Sequence, residues 1–158
     1  MKIGIILTLL ARAFGHRLDR YPVLCNIAEG THEDSVTKLA DAAITTRHLL
    51  VKQGSDADHI AVCGANDDPS GVCDDEPSAA EKEANVNLLG VIHRTVLMVA
   101  SEAITAGERV FTAASGKVQD EPTDPGTYYC VGRAMTAASA DGDEIEVEPC
   151  FPIALVVA

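Results

Sequence analysis

Asn85 to Ala100 reads N-V-N-L-L-G-V-I-H-R-T-V-L-M-V-A. Strands in globular domains run about 5 or 6 residues, so this run is more than twice too long for one. Its density of Val, Ile and Thr, with no polar residues at helical spacing, argues against a helix. Gly90, near the middle, is the natural place for a bulge or bend, which lets one apolar run serve two sheets or two halves of a barrel.

Away from this run, from about Arg47 onward, the pattern is period 2 and rich in turns. His48 to Lys52, His59 to Cys63, Arg109 to Ala113, Thr127 to Val131 and Glu144 to Glu148 are short β-type segments. The last alternates without a break, which buries Ile145 and Val147 on one face and leaves three carboxylates in water. Turn signals separate the segments at Ala106-Gly107, Ser115-Gly116, Asp124-Pro125-Gly126 and Asp141-Gly142, where Gly supplies the positive φ angles that tight hairpins need. The fold class expected is all-β, a small barrel or sandwich.

The two sides of Gly90 look alike, which points to an internal duplication into pseudo-repeated halves. With an offset of 61, Gly71 falls on Gly132, Ser78-Ala79 on Ser139-Ala140, Glu83 on Glu144 and Val86 on Val147. Upstream, His59-Ile60-Ala61-Val62 can be laid on Glu108-Arg109-Val110-Phe111 at an offset of 49, which gives the second copy about 12 extra residues, Lys117 to Tyr128.

Gly30 to Thr46 is the one helical candidate in the body. Thr31 can cap it, Glu33 and Asp34 fall in the first turn, and Val36, Leu39, Ala40 and Ala43 share a face. The organisation expected is therefore an extended arm over residues 1–42, with at most this one short helix, and a β-barrel domain over 43–158.

The chain has 158 residues, 24 Asp+Glu against 12 Lys+Arg, and no Trp. A net charge of −12 with only 4% aromatic residues disfavours nucleic acid as a partner, through phosphate repulsion and the lack of stacking surfaces. Residues 1–22 hold Lys2, Arg12, Arg17 and Arg20 against Asp19 alone, a local +3 that leaves −15 on the rest. Ile3 to Leu10 is short for a signal-peptide core and is followed by Arg12, Arg17 and Arg20, which oppose export. No run approaches the ~18 to 20 apolar residues that span a bilayer, so no membrane partner is expected.

Catalytic and metal motifs are absent from the sequence. Successive glycines are never fewer than six apart, which removes the dinucleotide fingerprint, the phosphate-binding loop and the nucleophile elbow. Cys25, Cys63, Cys73, Cys130 and Cys150 contain no C-x-x-C pair, fit synthesis in a reducing cytosol, and leave a Cys130 to Cys150 bridge open. A cysteine hydrolase pairing Cys63 or Cys73 with His59 or His93 is the weakest of the functional alternatives. The acidic stretch Asp67 to Glu76 lacks the ligand alternation of a calcium loop and is read as solvated charge. No cofactor and no metal are expected.

In order along the chain stand Leu49-Leu50-Val51-Lys52-Gln53-Gly54 with His59-Ile60-Ala61-Val62, Asp68-Pro69-Ser70-Gly71-Val72, Ala106-Gly107-Glu108-Arg109-Val110-Phe111, Ser115-Gly116-Lys117-Val118, Gly126-Thr127-Tyr128-Tyr129-Cys130-Val131-Gly132 and Asp141-Gly142-Asp143-Glu144-Ile145-Glu146-Val147. This series, from about Ala43 to Val157, resembles the capsid decoration or cement proteins of tailed bacteriophages. Gly132 stands one residue later than that family's pattern, and Phe151 to Ala158 extends past its usual end.

The resemblance implies a small β-barrel that oligomerises on the outer surface of an icosahedral head, with no catalytic residue. The partners it implies are the major capsid protein and further copies of the chain, as a homotrimer in preference to a homodimer, with the virion as its location. Interface candidates are Ile5, Ile6, Leu9, Leu10, Arg12, Phe14, Arg17 and Arg20 in the arm, and Phe151, Ile153 and Leu155 in the tail. A β-barrel adhesin or metal-dependent binding module is the alternative from another class; it would need exposed loop aromatics, which only Tyr128 and Tyr129 offer.

Overall fold

A computed structural model describes residues 33–158, and the arm candidates Ile5 to Arg20 lie outside them. Ten strands follow in order: β1 Ser35–Ala40, β2 Leu49–Gln53, β3 His59–Val62, β4 Gly71–Cys73, β5 Glu83–Leu88, β6 Val96–Val99, β7 Arg109–Thr112, β8 Val118–Gln119, β9 Gly126–Ala134 and β10 Glu144–Val157. The one helical element is a 3-10 turn at Ala114–Gly116. The all-β expectation holds.

The long apolar run does divide. β5 ends at Leu88, β6 starts at Val96, and Gly90 between them has φ +81°. β5 belongs to a closed barrel of order β1-β3-β2-β4-β5, and β6 to a five-stranded sheet of order β6-β10-β9-β7-β8.

The two sheets are copies of one plan. β4 pairs with β5 as Gly71 to Leu88, Val72 to Asn87 and Cys73 to Val86. Adding 61 to each number yields the β9–β10 register, Gly132 to Pro149, Arg133 to Glu148 and Ala134 to Val147. With β1 shifted by 60 and β5 by 61, the β1–β5 pairs Val36 to Val86 and Leu39 to Glu83 become the β6–β10 pairs Val96 to Val147 and Val99 to Glu144. Even the closure repeats: β1 meets β3 in parallel at Ala40 and Ile60, and a parallel bridge joins Ala100 to Val118.

This correspondence corrects the upstream alignment. The partner of β4 is β2, through Val51 and Gly71, as the partner of β9 is β7, through Val110 and Gly132. β7 therefore repeats β2 at an offset of 59, and β8 repeats β3; the offset of 49 matched strands that occupy different places in the sheet. With that repair, Lys117 to Tyr128 is no insertion, because β8 and the start of β9 fill it.

The helix expected over Gly30 to Thr46 is also corrected. Ser35–Ala40 is strand β1, in antiparallel register with β5 from Ser35 to Leu39, so barrel pairing begins ahead of residue 43. Local helical spacing loses here to backbone pairing with strands on both sides, β3 and β5. The acidic stretch Asp67 to Glu76 contains β4, whose three residues are all buried.

Equivalent side chains fill equivalent interiors. Ala40, Ile44, Val51, Ile60, Cys73, Ala84 and Val86 line the first barrel; Ala100, Ile104, Val110, Val118, Ala134, Ile145 and Val147 stand at the same places in the second half. Burying each Val or Ile contributes about 1.5–3 kcal/mol, so each half carries a core of its own. The halves also share a core, since Leu50, Cys63 and Val72 of the first pack in the same cluster as Met98, Val110 and Val131 of the second. Polar ties reinforce that seam: His48 Nδ1 lies 2.7 Å from Glu144 Oε1, the Gly116 amide donates to the Cys63 carbonyl at 2.7 Å, and Asn66 donates to the Thr127 carbonyl at 2.8 Å.

Candidate functional site

Duplication exposes a surface. On the first barrel the outward residues of β2 and β4, Leu50 and Val72, are covered by the second half. Their equivalents on the second half are Arg109 and Arg133, both exposed, and nothing in the described chain covers them. There they border an open cavity of about 410 Å³, whose wall also includes Glu121, Glu148, Cys130 and Ile153. An Arg109–Glu121 and Arg133–Glu148 lining gives this face both signs of charge, suited to salt-dependent, orientation-selective contacts.

β10 extends this surface. It is 14 residues long, but β6 pairs with it only from Glu144 to Val147. Beyond Pro149 the register slips: Pro149 faces Gly132 and Ile153 faces Cys130, so Cys150, Phe151 and Pro152 stand opposite Val131 alone. That bulge turns Phe151 outward, where it is 73% exposed. From Ile153 to Val157 the strand pairs on one side with Gly126 to Cys130 of β9 and has no partner strand on its other edge. Ile153 is 63% and Val156 74% exposed, while Leu155 is half-buried. An apolar, unpartnered edge of this kind is what proteins cover, with another strand or another surface.

The tail candidates Phe151, Ile153 and Leu155 thus meet on one ribbon, and Phe151 and Ile153 are exposed there. Sequence reasoning missed Val156 and the Arg109, Arg133 face; the alternation of β7 and β9 across the duplicated register is the signal that locates the two arginines.

Elsewhere the chemistry is structural. Burial pushes the Cys63 thiol up to about 12 and the Cys73 thiol upward as well, the direction opposite to nucleophile activation. His59 lies 2.6 Å from Asp56 and 3.1 Å from Glu81, and these partners raise its pKa above the usual value. Among the described residues, no group of three or more His, Cys, Asp or Glu side chains is placed to hold a metal ion.

Residues 28–149 match the family model of phage cement proteins. The matched residues end just before Cys150, where the exposed part of β10 begins. No curated protein matches the chain. Among solved structures, the chain is similar to the head fiber gp8.5 N base of bacteriophage phi29, with 19% identity, a TM-score of 0.56, and coverage of 75% of this chain and 94% of that one. At that identity the likeness concerns the fold, and it agrees with the all-β domain. With the family matched over most of its length, the chain belongs to the phage cement proteins, structural components associated with the virion capsid.

Proposed function

We propose that this protein binds the outer surface of an icosahedral phage head as a homo-oligomer, a homotrimer in preference to a homodimer, and stabilises the shell by bridging neighbouring major capsid subunits. The observation that carries the proposal is the apolar edge of β10, where Phe151, Ile153 and Val156 stand exposed beside an open cavity of mixed charge. A folded domain gains nothing from displaying such an edge to water; a surface that covers it gains apolar burial of about 25 cal/mol per Å².

The two kinds of contact divide the work. Apolar ribbon residues supply adhesion, while Arg109, Arg133, Glu121 and Glu148 set orientation. Residues Ile5, Ile6, Leu9, Leu10, Arg12, Phe14, Arg17 and Arg20 of the basic leader form a second grip on an acidic neighbour. Several modest contacts held in one oligomer raise the overall avidity by about 10²–10⁴ through effective concentration.

The test adds the purified chain, with and without residues 1–20, to heads lacking it and follows co-sedimentation. Tight binding by the full chain and weaker binding by the shortened one are expected. Equal occupancy would remove the arm from the account, and a full chain that stays in the supernatant would overturn the function.

A further inference from the structure

We propose that Cys130 and Cys150 form a thiol-pair modification site, which closes to an internal disulfide on exchange with a small-molecule disulfide such as glutathione disulfide. Both residues are half-buried and line the same open cavity, so the oxidant can reach them. Cys130 sits at the last β9 position before the slip, and Cys150 is the first residue of the bulge opposite it. The Cys150 thiol donates to the backbone carbonyl of Cys130, with sulfur and oxygen 3.7 Å apart, which brings the two residues together across the bulge. Cys63 and Cys73 are buried in the core and have no such access.

The exchange balances without any further reactant. The Cys130 thiolate attacks one sulfur of the small disulfide, forming a mixed disulfide and releasing one small thiolate, which takes up a proton. Cys150 then gives up its proton and attacks the Cys130 sulfur, forming the internal bond and releasing the second small thiol. Two protein thiols are oxidised and one small disulfide is reduced. Burial, with the neighbouring Cys130, pushes the Cys150 thiol up to about 11, so the closing step depends on the proximity that the bulge provides.

The consequence falls on the docking surface. The bond would tie β9 to the bulge that turns Phe151 outward, fixing the ribbon in its exposed form. A particle leaving a reducing cytosol for an oxidising medium would thereby stiffen its attachment edge.

The test treats the full-length Cys25→Ser protein with glutathione disulfide at about pH 8.5, near the ordinary thiol pKa, and reads peptide masses. A peptide pair joined through Cys130 and Cys150, lighter by two hydrogens, is expected, together with a rise in Tm on the order of 10 °C. In the Cys25→Ser, Cys150→Ser protein, glutathione should remain bound at Cys130 and Tm should not rise. The proposal is overturned if the Cys150-containing protein also retains glutathione at Cys130, if both thiols remain free to alkylation, or if the bond forms between molecules.

Discussion

A β-carbon placed on Gly90 would stand 2.6 Å from the Phe151 ring, so the bend between the two halves and the bulge of the tail strand are packed against each other. Gly90 also has φ +81°, which an L side chain rarely adopts. Gly90→Val should therefore cost at least about 2 kcal/mol, through backbone strain and displacement of Phe151 together. Thermal melting checks this; a wild-type curve would show that neither constraint operates.

Duplication makes a prediction about strain. Glu81 has φ 63°, and its equivalent in the second half is Gly142, at φ 89°. Both amides donate to the same backbone position, Ala40 in one half and Ala100 in the other. Glu81→Gly removes a left-handed side chain, a gain of about 1 kcal/mol, and loses only a solvent-screened surface contact with His59. A net rise in stability is expected in denaturant titration, and a fall would show that the His59 contact outweighs the strain.

His59 supplies the pH dependence. Hydrogen bonds that the His59 ring donates to the Asp56 and Glu81 carboxylates raise its pKa above 6.5 in the folded chain. The folded state thus binds this proton more tightly than the unfolded one, so the stabilisation is complete below about pH 6.5 and disappears as pH rises through the raised value. Asp56, held below 3.8 mainly by the same hydrogen bond, contributes above that value and loses its contribution as pH falls through the lowered one. Denaturant titrations of His59→Gln between about pH 6 and 8 should show a flatter pH slope than wild type. Parallel slopes would mean that the contact does not hold in solution.

The ribbon can be tested apart from the fold. Ile153→Asp with Val156→Asp places charge on two exposed positions of β10, and surface changes of this kind usually stay within about 0.5 kcal/mol of the parent stability. Melting should stay near wild type while co-sedimentation with heads falls at least tenfold. Undiminished binding by the doubly charged protein would move the docking surface elsewhere.

How much of this was legible in the sequence depends on what each signal reports. The offset of 61 was readable because β4 with β5 and β9 with β10 keep identical registers, so their small and branched residues must recur together. The bend at Gly90 was readable because the apolar run around it far exceeds the length of an ordinary strand. Upstream, His59–Val62 and Glu108–Phe111 share only a generic strand pattern, and pairing rather than composition tells β2 from β3. Ala43-Ile44-Thr45 recurs as Ala103-Ile104-Thr105, and Ile44 and Ile104 occupy the same buried place; that identity would have given the correct register. β1 escaped notice because its spacing suits a helix as well as a strand, and only its two neighbours decide. The Arg109 and Arg133 face was invisible because its meaning comes from the covered Leu50 and Val72 it repeats.

Electron cryomicroscopy of heads incubated with the purified chain tests the central claim most directly. The account predicts a closed β-barrel fused to a five-stranded sheet on the outside of the shell at each occupied site, with the β9–β10 ribbon buried against capsid subunits or a neighbouring copy. Undecorated shells at saturating protein, or decorated shells with Phe151, Ile153 and Val156 facing solvent, would contradict it.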